Sequence, residues 1–304
     1  MIFVAVAAVA AAVSTAPDPR SGWSISDPPW PPGGGGGVPP NGTTNNTTGP
    51  PPANFFNITF AATDGQEVQT LLTNVSPYIL PGDSFDVLAG NDGNITSSVR
   101  NVDRGSSDLH AAFPDAKIFV HTSGILSYSE LAPHMDANIT GMSYDYEPGY
   151  EPEFTFNFSK TVDNFANVSR IAHEYGLESV GYPTGIPLLS AYLDTYDWDY
   201  GKLGRTVDQL FIQTQLFCQL SPTDYARVVS VVLDQYAAAG VFARPYFQIS
   251  IGNATTDLPH GVTAPTAYAC AQQLESLGVH TLYLWWDEGG LPDLLQFLSD
   301  IGRD

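Results

Sequence analysis

The sequence predicts a (β/α)8 barrel, with an open doubly wound sheet as the alternative. Three observations carry this. From Asn57 onward, short β-branched and aromatic runs alternate with longer segments of helical periodicity. There are eight such runs. The units occupy roughly 250 residues, the usual span of this barrel.

The strand candidates, in order, are "NITFAATD", "FDVLAGND", "KIFVHTSG", "GMSYDYEP", "LESVGYPTG", "QLFIQTQ", "YFQISIGN" and "TLYLWWDE". The helix after the sixth is the best marked. Ser221 caps it, Pro222 suits its first turn, Asp224 completes a box-like pair and Gly240 ends it. Tyr225, Val228, Val229, Val232, Leu233 and Tyr236 recur between them at the spacing of one helical face. After the fourth strand, Val162, Phe165, Val168 and Ala172 form another such face, and "LPDLLQFLSDIG" reads as a short last helix.

The barrel is expected over residues 57–304. Before it, residues 1–16 are an apolar run too short to span a bilayer comfortably and ending in small residues, as the core of a secretory signal does. The positively charged start of such a signal is missing. Residues 17–56 are rich in Pro, Gly, Thr and Asn and read as a disordered linker. N-x-S/T sequons recur at Asn41, Asn57, Asn74, Asn94, Asn138, Asn157, Asn167 and Asn253, which suits a secreted or cell-surface glycoprotein; Asn138 is expected in a strand, out of reach of modification. The two cysteines, Cys218 and Cys270, are read either as a disulfide or as two small buried hydrophobes.

Of the 304 residues, 43% are hydrophobic and 14% charged, enough for one large core or two modest ones. Acidic residues outnumber basic ones 32 to 11, for a formal net charge of -21. Such a surface repels phosphate backbones and anionic headgroups, so nucleic acid is not an expected partner, and no span is expected in the mature chain. A monomer is expected. No His, Cys or carboxylate set has metal-ligand spacing and no glycine-rich phosphate loop appears, so neither metal nor cofactor is expected.

In such a barrel the chemistry sits where the strands end at their carboxyl termini. Those ends are polar here: Asp64, Asn91 and Asp92, His121 and Ser123, Asp145 and Glu147, Tyr182, Gln213 and Gln215, Asn253, then Trp285, Trp286 and Asp287. On the fourth strand, alternation puts Ser143, Asp145 and Glu147 on one face, toward the barrel mouth, and Met142, Tyr144 and Tyr146 on the other. An ionised Asp145 beside Glu147 is expected to keep Glu147 protonated near neutral pH, as a general acid requires. The plainer reading is that the pair caps or bridges to arginines at the rim, and that Gln213 and Gln215 belong to a satisfied polar layer.

"TGMSYDYE", Thr140 to Glu147, resembles the fourth-strand motif of family 18 glycoside hydrolases, D-G-x-D-x-D-x-E, with Gly141, Asp145 and Glu147 matching. The resemblance implies Glu147 as catalytic acid and Asp145 as the group that orients and stabilises the substrate's N-acetyl group. Thr140 and Ser143 depart from it, and the loss of the second Asp removes a partner for proton sharing. "DQLFIQTQLF" resembles the family's sixth strand through Gln213, with Gln215 where a Tyr polarises the acetamido carbonyl. "YLWWD" resembles its eighth, with Trp285 or Trp286 as the floor of the sugar subsite, and "VHTSG" faintly echoes its third. His121, Ser143, Tyr182, Gln213, Gln215, Trp285, Trp286 and Asp287 are the substrate-binding candidates. The function expected is an exported enzyme that cleaves β-linked N-acetylglucosamine-containing glycans by a substrate-assisted route. Two alternatives remain: a glycosidase on a non-acetylated glycan, with a second carboxylate such as Asp64 or Asp287, and a non-catalytic, lectin-like barrel.

Overall fold

The computed structural model describes residues 56–62, 65–89, 95–148, 153–189, 196–241, 244–252 and 262–303. The leader expected over 1–16 and, save Phe56, the linker lie outside these residues, as do Asp64, Asn91, Asp92 and Asn253.

Eight parallel strands close on themselves in sequence order. They are β1 (Asn57–Ala62), β2 (Ser84–Leu88), β3 (Lys117–Ser123), β4 (Gly141–Tyr146), β5 (Glu178–Pro183), β6 (Gln209–Ile212), β7 (Tyr246–Ile251) and β8 (Thr281–Trp286). Around them lie α1 (Gly65–Thr70), α2 (Ile95–Ala112), α3 (Ile125–Leu131), α4 (Phe158–Glu174), α5 (Tyr200–Leu203), α6 (Gln215–Leu220), α7 (Pro222–Ala239), α8 (Ala264–Ser276) and α9 (Leu291–Asp300). The expected (β/α)8 barrel is therefore the fold, and the doubly wound alternative is excluded by β1 pairing with β8.

Strand alternation divides the core in two. Outward-facing Phe60, Phe85, Val120, Met142, Tyr144, Tyr146, Ile249, Leu284 and Trp286 pack under the helices in one cluster. Inward-facing Ala61, Phe119, Val180, Tyr182, Phe211 and Tyr283 form a second, smaller one that plugs the barrel. Gly141 opens β4 where the backbone of β5 passes so close that an added Cβ would stand 2.4 Å from the carbonyl oxygen of Glu178.

The best-marked helix forms as its sequence predicts. The Ser221 hydroxyl accepts the backbone N–H of Asp224 at 3.0 Å and donates to the Asp224 carboxylate at 2.5 Å, and Gly240 ends α7 in the left-handed conformation (φ 66°). Cys218 on α6 and Cys270 on α8 form a disulfide, with their Cα atoms 5.9 Å apart.

The end of the barrel opposite the strand carboxyl termini is closed by a buried ion pair. Arg303 donates to both oxygens of Asp83, at 2.5 and 2.9 Å, and to the carbonyl of Phe56. Asp83 also accepts the N–H groups of Ile58 and Leu80, each at 2.8 Å.

Two local expectations need correction. Asn138 lies in a turn before β4, half-buried, where its N–H donates to the Asp136 side chain at 2.8 Å. Strand β6 stops at Ile212, so Gln215 is the first residue of α6 rather than a strand residue. Among the described residues no helix is long and apolar enough to cross a membrane.

Candidate active site

The barrel mouth is built around a buried carboxylate that the motif analysis passed over. Asp86 faces inward from the middle of β2, 1% exposed. Its Oδ1 accepts the Ser143 hydroxyl at 2.8 Å, and its Oδ2 accepts the Tyr283 hydroxyl at 2.9 Å and stands 3.0 Å from Nδ1 of His121. Three strands thus converge on one carboxylate. That convergence is what makes its burial tolerable, since an unpartnered charge in the barrel interior costs several kcal/mol.

His121, inward-facing on β3 and 3% exposed, lies between two carboxylates. Its other nitrogen, Nε2, is 3.5 Å from Oδ2 of Asp145. On the far side of Asp145, Gln213 donates from Nε2 to Oδ1 at 2.8 Å and to the carbonyl of Tyr182 at 3.2 Å. A chain of contacts therefore runs from β8 through β2, β3 and β4 to the end of β6. Burial by itself pushes the His121 imidazole down, but the two carboxylates outweigh it and hold its pKa up at about 10. Such a shift favours the imidazolium, with a carboxylate group at each ring nitrogen.

Two aromatic rings flank the imidazole edge-on: Tyr182, 5.2 Å between centroids, and Trp285, 6.0 Å. Burial, then the charges of Asp145, Glu147 and Asp86, raise the Tyr182 hydroxyl well above its ordinary range, so it stays protonated as a hydrogen-bond donor. Glu147 itself is half-buried and directly follows β4.

The remaining candidates separate by strand phase. Trp285 faces the mouth, half-buried beside His121. Trp286 is corrected: it is turned out of the barrel, fully buried under the helices, with its indole N–H on the carbonyl of Ala61 at 2.8 Å, and cannot floor a sugar subsite. Gln215 is likewise displaced from the strand, its Oε1 buried without a hydrogen-bond partner. Asp287 accepts the N–H of Gly290 at 2.7 Å and organises the turn into α9. Beyond Asp86 and Tyr283, motif reasoning also missed Gln248 and Ser250 on β7, which extend the polar wall from Gln213, with the Gln248 amide donating to the Ser250 hydroxyl at 3.0 Å. The available signal was alternation: in "SFDVL" the residues flanking Asp86 at one-residue distance, Phe85 and Val87, are the apolar ones.

Among the described residues no group of three or more His, Cys, Asp and Glu side chains is arranged to hold a metal ion. Each nitrogen of His121 is already turned to a carboxylate oxygen, which leaves none for a metal.

Fold and site together define a (β/α)8 barrel with an acidic, aromatic-flanked mouth at the strand carboxyl ends. Its solved structural neighbours include the PgaB (BpsB) glycoside hydrolase domain from Bordetella bronchiseptica, with a TM-score of 0.57 at 9% identity over 83% of this chain and 99% of that one. The catalytic domain of psychrophilic chitinase B from Arthrobacter TAD20 aligns at 0.52 with 11% identity, covering 83% and 96%. The catalytic domain of a family GH18 chitinase from the fern Peteris ryukyuensis aligns at 0.51 with 13% identity, covering 81% and 97%. Neither a protein-family model nor a curated protein matches the sequence. A carboxyl transferase domain aligns at 0.50, so these likenesses establish the barrel, and the chemistry must be argued from the side chains.

Proposed function

We propose that this protein is an exported glycoside hydrolase acting on β-linked N-acetylglucosamine-containing glycans, with Glu147 as general acid and Asp145 as the stabilising carboxylate. The observation that carries the reading is the fixation of Asp145. It sits two residues before Glu147, 8% exposed, with Gln213 donating to one oxygen and the His121 imidazolium facing the other. A rim carboxylate with a purely structural role would bridge to an arginine; this one is aimed by an amide and a cation at the mouth where substrate enters.

In the reaction, Glu147 protonates the departing glycosidic oxygen while the substrate's own acetamido carbonyl attacks the anomeric carbon, so the leaving bond breaks as the new C–O bond forms. Asp145 stabilises the positive charge that develops on the acetamido group. Water then opens that intermediate, its proton returning to Glu147. Trp285 offers an aromatic surface to the sugar, and Tyr182 a hydroxyl donor beside the carboxylates. His121, Ser143 and Gln213 support the carboxylates, and Trp286, buried outside the barrel, takes no part in the reaction. Two of the structural neighbours are chitinases by description, which agrees with a polymer of N-acetylglucosamine as substrate class. The Cys218–Cys270 disulfide supports export, because such bonds persist in oxidising compartments.

The test is release of new reducing ends from chitin oligosaccharides, N-glycans and unacetylated β-glucans by the full chain and by Glu147→Gln. Release from the acetylated substrates, lost in the variant, is expected. Release from unacetylated glucans alone moves the chemistry to a second carboxylate. Binding without release makes the barrel a lectin.

A further inference from the structure

Position 143 is where the motif resembled by β4 has a carboxylate two residues before Asp145, and Ser143 carries no charge. The structure nonetheless places a carboxylate against that serine: Asp86 Oδ1, from β2, accepts its hydroxyl at 2.8 Å. The negative charge has moved to another strand, and a histidine stands between it and Asp145.

We propose that the Asp86–His121 pair is a positioning unit for Asp145, in which β2 and β3 supply by a hydrogen-bonded charge pair what a neighbouring carboxylate on β4 would otherwise supply. The inference rests on the reading of Asp145 and Glu147 as the catalytic pair. Geometry makes the argument. A carboxylate only accepts, so Asp86 fixes the proton of His121 on Nδ1 and with it the plane of the ring. The second nitrogen then faces the Asp145 carboxylate at 3.5 Å. A neutral ring would turn a lone pair toward that anion, whereas an imidazolium turns an N–H. The ring is therefore doubly protonated, and its second N–H aims the Asp145 carboxylate. The apolar plug beneath, with Phe119 and Phe211 ring to ring at 5.9 Å, keeps the dielectric low and strengthens each contact. The charged and titratable groups facing the ring are Asp86 from β2, Asp145 from β4, Tyr182 from β5 and, through Asp86, Tyr283 from β8; Glu147 acts from the rim.

Removing the cation has a signed consequence. The remaining carboxylates then hold their protons to higher pH. The acidic limb of the rate profile, where the stabilising carboxylate must ionise, and the alkaline limb, where the acid must stay protonated, both move upward. A residue that merely filled space would lower activity without moving the profile.

The experiment uses the full chain, labelled with 15N-histidine, and the His121→Gln, Asp86→Asn and Asp145→Asn variants. An imidazolium signal persisting above pH 8 is expected in the wild type, absent in His121→Gln and titrating at lower pH in each Asp variant. A His121 that is neutral at pH 7, or one whose titration ignores Asp145→Asn, overturns the proposal whether or not the chain is active. In hydrolysis of a chitin oligosaccharide, His121→Gln is expected to lower kcat roughly 10- to 100-fold, as for loss of a charge-assisted contact, with KM little changed and the pH optimum moved upward. An unshifted profile overturns the positioning role. A wild type that cleaves nothing sinks the reading of Glu147 instead, and the imidazolium signal still judges the pair.

Discussion

Gln213 donates its amide N–H to Oδ1 of Asp145 at 2.8 Å, across 68 residues of sequence. Gln213 sits just beyond β6 with its backbone bridged to Thr184, and its side-chain amide spans β5 to reach β4. Gln213→Leu keeps most of the volume and removes the donor. A hydrogen bond to a charged group contributes about 1.5–3 kcal/mol. The variant is expected to lose roughly 10- to 100-fold in kcat with its far-ultraviolet circular dichroism unchanged. A loss confined to KM would place Gln213 in substrate binding instead.

His121 makes stability depend on pH in a calculable direction. Its folded pKa, about 10, lies above the ordinary 6.5, so the folded state binds the proton more tightly than the unfolded chain. The contribution is complete below pH 6.5 and is lost as pH rises through 10, amounting to on the order of a few kcal/mol. Urea midpoints taken from pH 6 to pH 10 should fall, and the part of that fall due to His121 should vanish in His121→Gln. Identical slopes in the two proteins would mean that the imidazole is neutral in the fold.

Much of the barrel was legible because its two faces differ chemically. In Gly141–Tyr146, small and acidic residues alternate with Met142, Tyr144 and Tyr146, and the fold follows that phase. On β8 the phase was hidden, because Tyr283 and Trp285 inside are as apolar as Leu284 and Trp286 outside. Gln215 was misplaced because "QLFIQTQ" has no breaker, and α6 begins without a side-chain cap to announce it. Asp86 went unread because a motif confined to one strand cannot show a carboxylate that reaches it from another. Pairing of β2 with β3 and of β3 with β4 joins Asp86, His121 and Asp145, and closure of the barrel adds Tyr283 from β8.

The ion pair at the far end of the barrel gives a prediction about stability alone. Arg303 and Asp83 are each about 1% exposed, and the pair ties the chain's last turn to the starts of β1 and β2. Arg303→Leu leaves Asp83 buried with two backbone N–H partners and no counter-charge. The expected loss is about 3–5 kcal/mol in unfolding free energy. Asp83→Asn with Arg303→Leu removes both charges and should recover part of it. Additive losses in that double variant would show that the two side chains are not coupled.

The disulfide closes a segment of 52 residues between α6 and α8, and it lies against the helix that follows the Gln213 turn. Chain entropy for a loop of that length corresponds to about 4 kcal/mol, of which measured bridges deliver about 2–4. Because the Thr214 hydroxyl accepts no capping N–H from α6 but donates to the carbonyl of Gln248 at 3.0 Å, the start of α6 is held to β7 independently of the bridge. Cys218→Ala with Cys270→Ala should therefore lower the denaturation midpoint while leaving kcat at 25 °C within about twofold, the scale of a contact worth less than half a kcal/mol. A large loss of kcat in a folded variant would instead mean that the bridge, rather than the strand contacts, sets the place of Gln213 beside Asp145.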